Sequence, residues 1–249
     1  MTAMLKIEQL SKTYENGTAA LKEISLSVAA GEFVVVLGKS GSGKSTLMRC
    51  INRLVEPSSG HVFLDGEEVT GASPSRLRAL RKKMGMIFQQ YNLISRYSVQ
   101  SNALMGRLGW TSSVASLMNC FSEEDGLRSR LVLGRLGLAE KCLDRSEDLS
   151  GGQQQRVGLA RALMQEPELI LADEPVSSLD PVTSRQIMQL LVDINEKDGV
   201  TILCNLHLPA LAREFGSRIL ALDAGQIIYD GPAGELSEQE LNSLYDSNL

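Results

Sequence analysis

Phe33-Val34-Val35-Val36-Leu37, followed directly by Gly38-Lys39-Ser40-Gly41-Ser42-Gly43-Lys44-Ser45, sets an uninterrupted apolar run against a glycine-rich turn. A short run without polar alternation predicts a strand buried on both faces of a parallel sheet. Beyond the turn, Leu47, Cys50, Ile51 and Leu54 fall at i, i+3, i+4 and i+7, one face of a helix. Strand, turn and helix in this order fit G-x-x-x-x-G-K-[ST], in which backbone N–H groups curl around an anion at a helix N-terminus. In that pattern Lys44 reaches the β- and γ-phosphates of ATP and Ser45 can ligate Mg²⁺. Gly38, Lys39, Ser40, Gly41, Ser42, Gly43, Lys44, Ser45 and the adjoining Thr46 are the candidate nucleotide-binding residues.

A nucleotide hydrolase also needs a carboxylate for the metal and a group that orients water, both at the end of a neighbouring buried strand. Leu169-Ile170-Leu171-Ala172-Asp173-Glu174 supplies such an end. Asp173 would hold Mg²⁺ through its shell, and Glu174 would polarise the attacking water or accept its proton. Taken alone, the hexapeptide also reads as an acidic turn closing a strand. Leu149-Ser150-Gly151-Gly152-Gln153 precedes a helix expected to begin near Gln154, a second glycine-rich helix N-terminus far along the chain from the first. One nucleotide needs one such cradle, so the second points to a nucleotide on another copy. A serine N-cap with glycines for a tight entry is the other reading of those residues.

Working outward, residues 5–37 alternate in short runs such as Ile24, Leu26 and Val28, the period of half-exposed strands, and predict an antiparallel β-layer. His61 to Val69 reads as a hairpin around Asp65-Gly66, and Met84 to Phe88 as a buried strand ending at Gln89 and Gln90. From about Ser95 to Asp148 the strand signal gives way to helix-compatible segments such as Leu127 to Leu138, the mark of an inserted helical lobe. Helical spacing resumes at Val157, Ala160 and Met164 and stops before Pro167. Buried strands at Leu169 to Ala172 and Val200 to Asn205 follow, then a hairpin from Ile219 to Asp230 turning at Ala224-Gly225. The expectation is one α/β domain over residues 1–249: a phosphate-loop core with a mixed, largely parallel sheet, an N-terminal antiparallel β-layer, and an inserted α-helical subdomain at about 95–148.

Composition sets bounds on function. With 249 residues, 43% hydrophobic and 22% charged, the chain is an ordinary globular protein. A net charge of −5 opposes general binding to a phosphate backbone, so no nucleic-acid partner is expected and any phosphate site is local. No stretch approaches the roughly 18 apolar residues of a membrane span, and no secretory leader opens the chain, so a cytosolic location is expected. Cys50, Cys120, Cys142 and Cys204 show no paired spacing and read as reduced thiols, mostly small core residues. Of the two histidines, His61 reads as a surface residue of a hairpin.

The order of phosphate loop, Gln89, Leu149–Gln153, Asp173-Glu174, Asp180 and His207 closely resembles the ATPase subunits of ABC transporters, over nearly the whole chain. That resemblance implies two subunits packed head to tail, each closing Ser150, Gly151, Gly152 and Gln153 onto the ATP held by the other. It implies integral membrane permease subunits as partners, a periplasmic solute-binding protein as an indirect one, and a peripheral position on the cytoplasmic face of the inner membrane. It gives Tyr14 a stacking role on adenine, Gln89 a contact with Mg²⁺ or water, Asp180 a place at the dimer interface, and His207 a contact with the γ-phosphate. Each has a plainer reading: a packed tyrosine, a surface amide, an N-cap before Pro181 and a strand-capping histidine. Asn205-Leu206 before the histidine and Pro209 after it depart from the commonest family pattern.

Three local stretches are similar to the phosphonate-importer ATPases: Gln90-Tyr91-Asn92-Leu93-Ile94, Gly106-Arg107-Leu108-Gly109 with the serine-rich run to Phe121, and Asn205-Leu206-His207. The resemblance implies import of phosphonate or a related phosphorus oxyanion such as phosphite. Alternatives are an importer of another solute, such as a polar amino acid, and a non-transport ABC ATPase acting on nucleic acid or ribosomes. The insert, with residues near Tyr91 to Tyr97 foremost, is the expected docking surface for the permease.

Overall fold

The computed structural model describes residues 3–111 and 120–236. Its axis is β3 (Phe33–Leu37), whose five residues are all buried. Val34 and Val36 join one hydrophobic cluster while Phe33, Val35 and Leu37 join another, as the two-residue period of a strand requires. β3 pairs in parallel with β8 (Thr201–Leu206) and β9 (Arg218–Asp223). β7 (Leu169–Asp173) and β6 (Met84–Ile87) continue the parallel sheet, and β10 (Gln226–Pro232) closes the other edge antiparallel. The order is β10-β9-β3-β8-β7-β6. The last hairpin turns at Ala224-Gly225, where both residues have positive φ as a tight hairpin turn demands.

A second sheet, β2-β1-β4-β5, is antiparallel and comprises β1 (Ala3–Thr13), β2 (Ala19–Ala29), β4 (Ser59–Leu64) and β5 (Glu67–Glu68). Its inward residues, among them Leu5, Ile7, Ile24 and Val28, enclose α1 (Lys44–Ile51) against Val34 and Val36. The opposite face of the central sheet is covered by α5 (Gly151–Leu163) and α6 (Pro181–Asp198), through Val157, Ala160, Ile187 and Leu191. α2 (Pro74–Lys82) leads into β6, and α7 (Pro209–Phe215) follows β8.

Between β6 and α5, the described residues hold α3 (Val99–Leu104), α4 (Glu123–Arg135) and short 3₁₀ turns. Ser98 caps α3, and Ser122 caps α4 ahead of Glu123, Glu124 and Asp125, a favourable placement at the positive end of a helix dipole. Buried Asn102 organises the segment before α3: its Oδ1 accepts from Ile94 N–H at 2.8 Å, and its Nδ2 donates to Ile94 O and Ser146 Oγ. The serine-rich run expected here falls largely on residues 112–119, outside the described residues.

Four expectations need correction. α1 ends at Ile51, and Leu54 lies beyond it, exposed, because Arg53 takes a left-handed φ of 57° and turns the chain away. The helix expected near Gln154 begins at Gly151, since Ser150 and Gln153 form a reciprocal capping box at its start. The lobe helix runs Glu123–Arg135 rather than from Leu127 to Leu138, stopping before Gly137 at φ 74°. Of the four cysteines only Cys50 and Cys204 are buried; Cys142 is half-buried and Cys120 exposed.

Candidate nucleotide site

The glycine-rich loop leaves the C-terminal end of β3 and is pinned from two sides. A Cβ on Gly43 (φ 106°) would lie 2.4 Å from Ala20 O, so only glycine lets the loop press against β2. The final hairpin holds it from the other side, with Gly225 N–H donating to Ser42 O at 3.0 Å. Inside the loop, Lys44 is buried and its Nζ donates to Gly38 O at 2.7 Å and Lys39 O at 3.0 Å. Burial pushes the Lys44 ammonium below its ordinary range, partly offset by the charges of Glu174 and Asp173. Ser42 Oγ is buried without a hydrogen-bond partner, an orphan polar atom in the cradle.

Asp173, the last residue of β7, is 2% exposed and accepts from Ser45 Oγ at 2.7 Å and Asn205 Nδ2 at 2.8 Å. Arg49 lies 3.8 Å from its other oxygen. Glu174 adopts a left-handed φ of 51° immediately after the strand, unusual for a non-glycine residue. That turn brings its carboxylate to 3.8 Å from Lys44 Nζ and 3.9 Å from His207 Nδ1. Lys44, Ser45, Asp173, Glu174 and His207 therefore meet at the carboxyl ends of β3, β7 and β8, where open α/β sheets bind ligands. Tyr14 is partly exposed beside the loop, its hydroxyl 3.2 Å from Thr46 Oγ1.

The remaining candidates stand apart from this cluster. Ser150 caps α5, accepting from Gln153 N–H while Gln153 Oε1 accepts from Ser150 N–H. Asp180 caps α6 through Val182 N–H and Thr183 N–H, and hydrogen bonding to Thr183, then Val182, holds its carboxyl below the usual range. The two helix starts pack together: a Cβ on Gly152 would meet Thr183 Cγ2 at 2.4 Å. Among the described residues, the side-chain hydrogen bonds of Ser150 and Gln153 run within the first turn of α5 and not to Lys39–Thr46. Gln89 is exposed in the loop after β6. His61 is a surface residue paired with Glu68.

Asn205 and Arg49 are contacts of Asp173 that motif reading did not assign. Asn205 carried a signal, since a polar side chain closing a buried strand requires a partner. The assembled geometry suits a polyphosphate: a buried cation in a loop of backbone donors, two hard oxygen atoms in contact, and a second, partly buried carboxylate beside a histidine.

The comparisons agree with that geometry. The ABC transporter family profile matches residues 21–177. The chain is 48% identical over 246 residues to the phosphonates import ATP-binding protein PhnC 3 of Halalkalibacterium halodurans, covering 99% of this chain and 95% of that one. It is 51% identical over 242 residues to PhnC 1 of Rhodopseudomonas palustris, covering 97% and 89%. Among solved structures, the ATP-binding cassette MJ0796, described as dimeric in a post-hydrolysis state with ADP and Pi, superposes with a TM-score of 0.82 at 36% identity over 92% of this chain and 99% of that one. The cbiO1 subunit of Clostridium perfringens gives 0.84 at 30% identity over 97% and 93%. The phosphate loop, the buried strand-end acid and these matches together lead to one statement: the chain belongs to the ABC transporter family, as one of its ATP-binding, ATP-hydrolysing subunits.

Proposed function

We propose that two copies of this chain pack head to tail, each closing Ser150, Gly151, Gly152 and Gln153 on the ATP held by Gly38–Thr46 of the other, and that the dimer drives import of phosphonate or phosphite through membrane permease subunits. The observation that carries the dimer is the second helix N-terminus, capped and preorganised on α5, whose cap hydrogen bonds close within its own first turn. Asp180 and Gln89 belong to the same surface in this reading, Tyr14 stacks on adenine, and His207 contacts the γ-phosphate. Residues 1–249 form a single domain in which 95–148 is the lobe that docks on the permease. Ile94 and Tyr97, exposed at its entry, support the Tyr91 to Tyr97 segment as the contact.

Ser45 Oγ and Asp173 Oδ1, 2.7 Å apart, fit a hard cation such as Mg²⁺. Among the described residues no group of three or more His, Cys, Asp or Glu side chains is placed to hold a metal ion, so phosphate oxygens and water would complete the shell. Bound there, Mg²⁺ would neutralise charge on the phosphates. Glu174 is the proton acceptor for water, its carboxylate oriented between Lys44 and His207. Lys44 exchanges its loop carbonyls for phosphate oxygens.

The cargo rests on the printed names of the relatives, phosphonates import ATP-binding proteins, over nearly full length. No helix among the described residues is long and apolar enough to cross a membrane, which suits a peripheral subunit on the cytoplasmic face. A periplasmic solute-binding protein would deliver the cargo, and the acidic net charge of −5 disfavours nucleic acid as a partner.

Four outcomes are expected. Because the folded Lys44 pKa lies below the unfolded 10.5, wild-type stability rises with pH between the two values. The melting-temperature difference between wild type and Lys44→Met should therefore move in favour of wild type as pH climbs through that window; movement the other way would show a stabilised ammonium. Lys44→Met should also lose the ATP-induced rise in melting temperature. Glu174→Gln should keep nucleotide affinity, lose roughly a hundredfold or more in kcat, and accumulate as an ATP-bound dimer on size exclusion. Deleting the gene in its host should abolish growth on phosphonate or phosphite as the sole phosphorus source and leave growth on orthophosphate intact. Normal growth on both reduced sources with lost amino-acid uptake would overturn the cargo.

A further inference from the structure

The loop that leaves β6 contains two successive left-handed residues, Tyr91 at φ 49° and Asn92 at φ 51°. Asparagine tolerates this conformation; tyrosine does so only when its surroundings hold it there. The hold comes from α5. Arg161, near the end of that helix, donates from Nη2 to Tyr91 O at 2.8 Å and from Nη1 to Asn92 O at 2.5 Å. A Cβ on Gly158 would stand 3.8 Å from the same Tyr91 carbonyl.

The other end of Tyr91 reaches the start of the same helix. A Cβ built on Gly151 would lie 2.9 Å from the Tyr91 hydroxyl and 3.8 Å from the ring carbon that bears it. Gly151 and Gly158 are seven positions apart, about two turns, and therefore share one face of α5. Tyr91 thus lies lengthwise in a track left open by two glycines, its carbonyl fixed at Arg161 and its hydroxyl against the first turn. Leu179, just before α6, touches Gly151 from another side, with Cδ2 3.3 Å from the built Cβ.

We propose that Tyr91 is a positioning residue for ATP hydrolysis: a strut by which the loop following Gln89 sets where Ser150–Gly152 stands in the same chain. Displacement of that loop pulls on α5 through Arg161 at one end and bears on its first turn through Tyr91 at the other, so the capped end of α5 moves with the loop. This rests on the reading that Ser150–Gln153 closes on the partner copy's nucleotide. The hydroxyl rests on the first turn by contact alone, with no hydrogen bond to it among the described residues, so the aromatic ring supplies most of the strut's length.

The test uses the purified full chain with Tyr91→Ala, Tyr91→Phe and, as control, Ser150→Arg, measuring kcat, nucleotide affinity of the monomer and ATP-dependent dimerisation in a Glu174→Gln background. Tyr91→Ala should lower kcat roughly tenfold or more and weaken dimerisation, with monomer affinity within about twofold of wild type. Tyr91→Phe should restore both to within about threefold. A purely structural role would reduce monomer affinity together with kcat, and that result overturns the proposal. So does wild-type turnover by Tyr91→Ala while Ser150→Arg is inactive. If Ser150→Arg hydrolyses normally, the two-copy reading itself fails and the strut with it.

Discussion

Asp173 is a carboxylate almost wholly removed from water, and a charge so placed persists only where donors replace its hydration. Ser45 Oγ supplies one hydrogen bond from the first turn of α1, and Asn205 Nδ2 another from the adjoining strand β8. One side chain therefore ties the helix behind the phosphate loop, the central strand β7 and the strand that leads to His207. Disturbing any of the three strands the acid, at a cost of about 1–3 kcal/mol or more for a charged group. The next residue reverses direction: the left-handed Glu174 turns its carboxylate outward to Lys44 and His207. Two adjacent acids thus take two environments, one locked in hydrogen bonds and one set between a lysine and a histidine, a separation that suits metal-holding and proton-accepting roles.

The rest of the molecule divides by how it is held. The central sheet is fixed by apolar burial on both faces of β3, and the phosphate loop inherits that rigidity. The segments between β6 and α5 join the same apolar core through Val99, Ala103, Leu133 and Leu136, and add caps and the hydrogen bonds of Asn102. α5 connects sheet and lobe. Its apolar face packs on the sheet, its N-terminus carries Ser150, and Arg161 grips the loop that enters the lobe. A helix so connected transmits a displacement along its length with little loss, because its internal hydrogen bonds resist shear.

The features legible in the sequence were those with a local physical cause. The apolar run of β3 and the glycines after it specify strand and anion loop, and Asp65-Gly66 and Ala224-Gly225 specify hairpins, because only certain residues accept positive φ. Leu54 matched a helical period yet fell outside α1, since the chain exit is set by Arg81, which binds the Asn52 and Arg53 carbonyls from a distant helix. Leu127 and Leu131 fit the period of α4 but point to solvent, because spacing alone does not say which face is covered. Ser150 and Gln153 spelled a capping box that would have placed the start of α5 correctly. Tyr91 stood in a stretch noted for its family resemblance and Arg161 in none, and neither signalled the other; their pairing exists only once the lobe entry folds against α5.

The central claim is that the site is completed between chains, and complementation tests it most directly. Lys44→Ala lacks the cradle cation and Ser150→Arg blocks the closing helix, so each should be inactive alone. In a mixed dimer, the intact Lys44 of one copy faces the intact Ser150 of the other, forming one whole site, while the second site carries both defects. The account predicts that mixing the two inactive proteins restores ATP hydrolysis in proportion to the mixed dimer formed. Mixed dimers that form, verified by differently tagged copies, yet hydrolyse no ATP would contradict it.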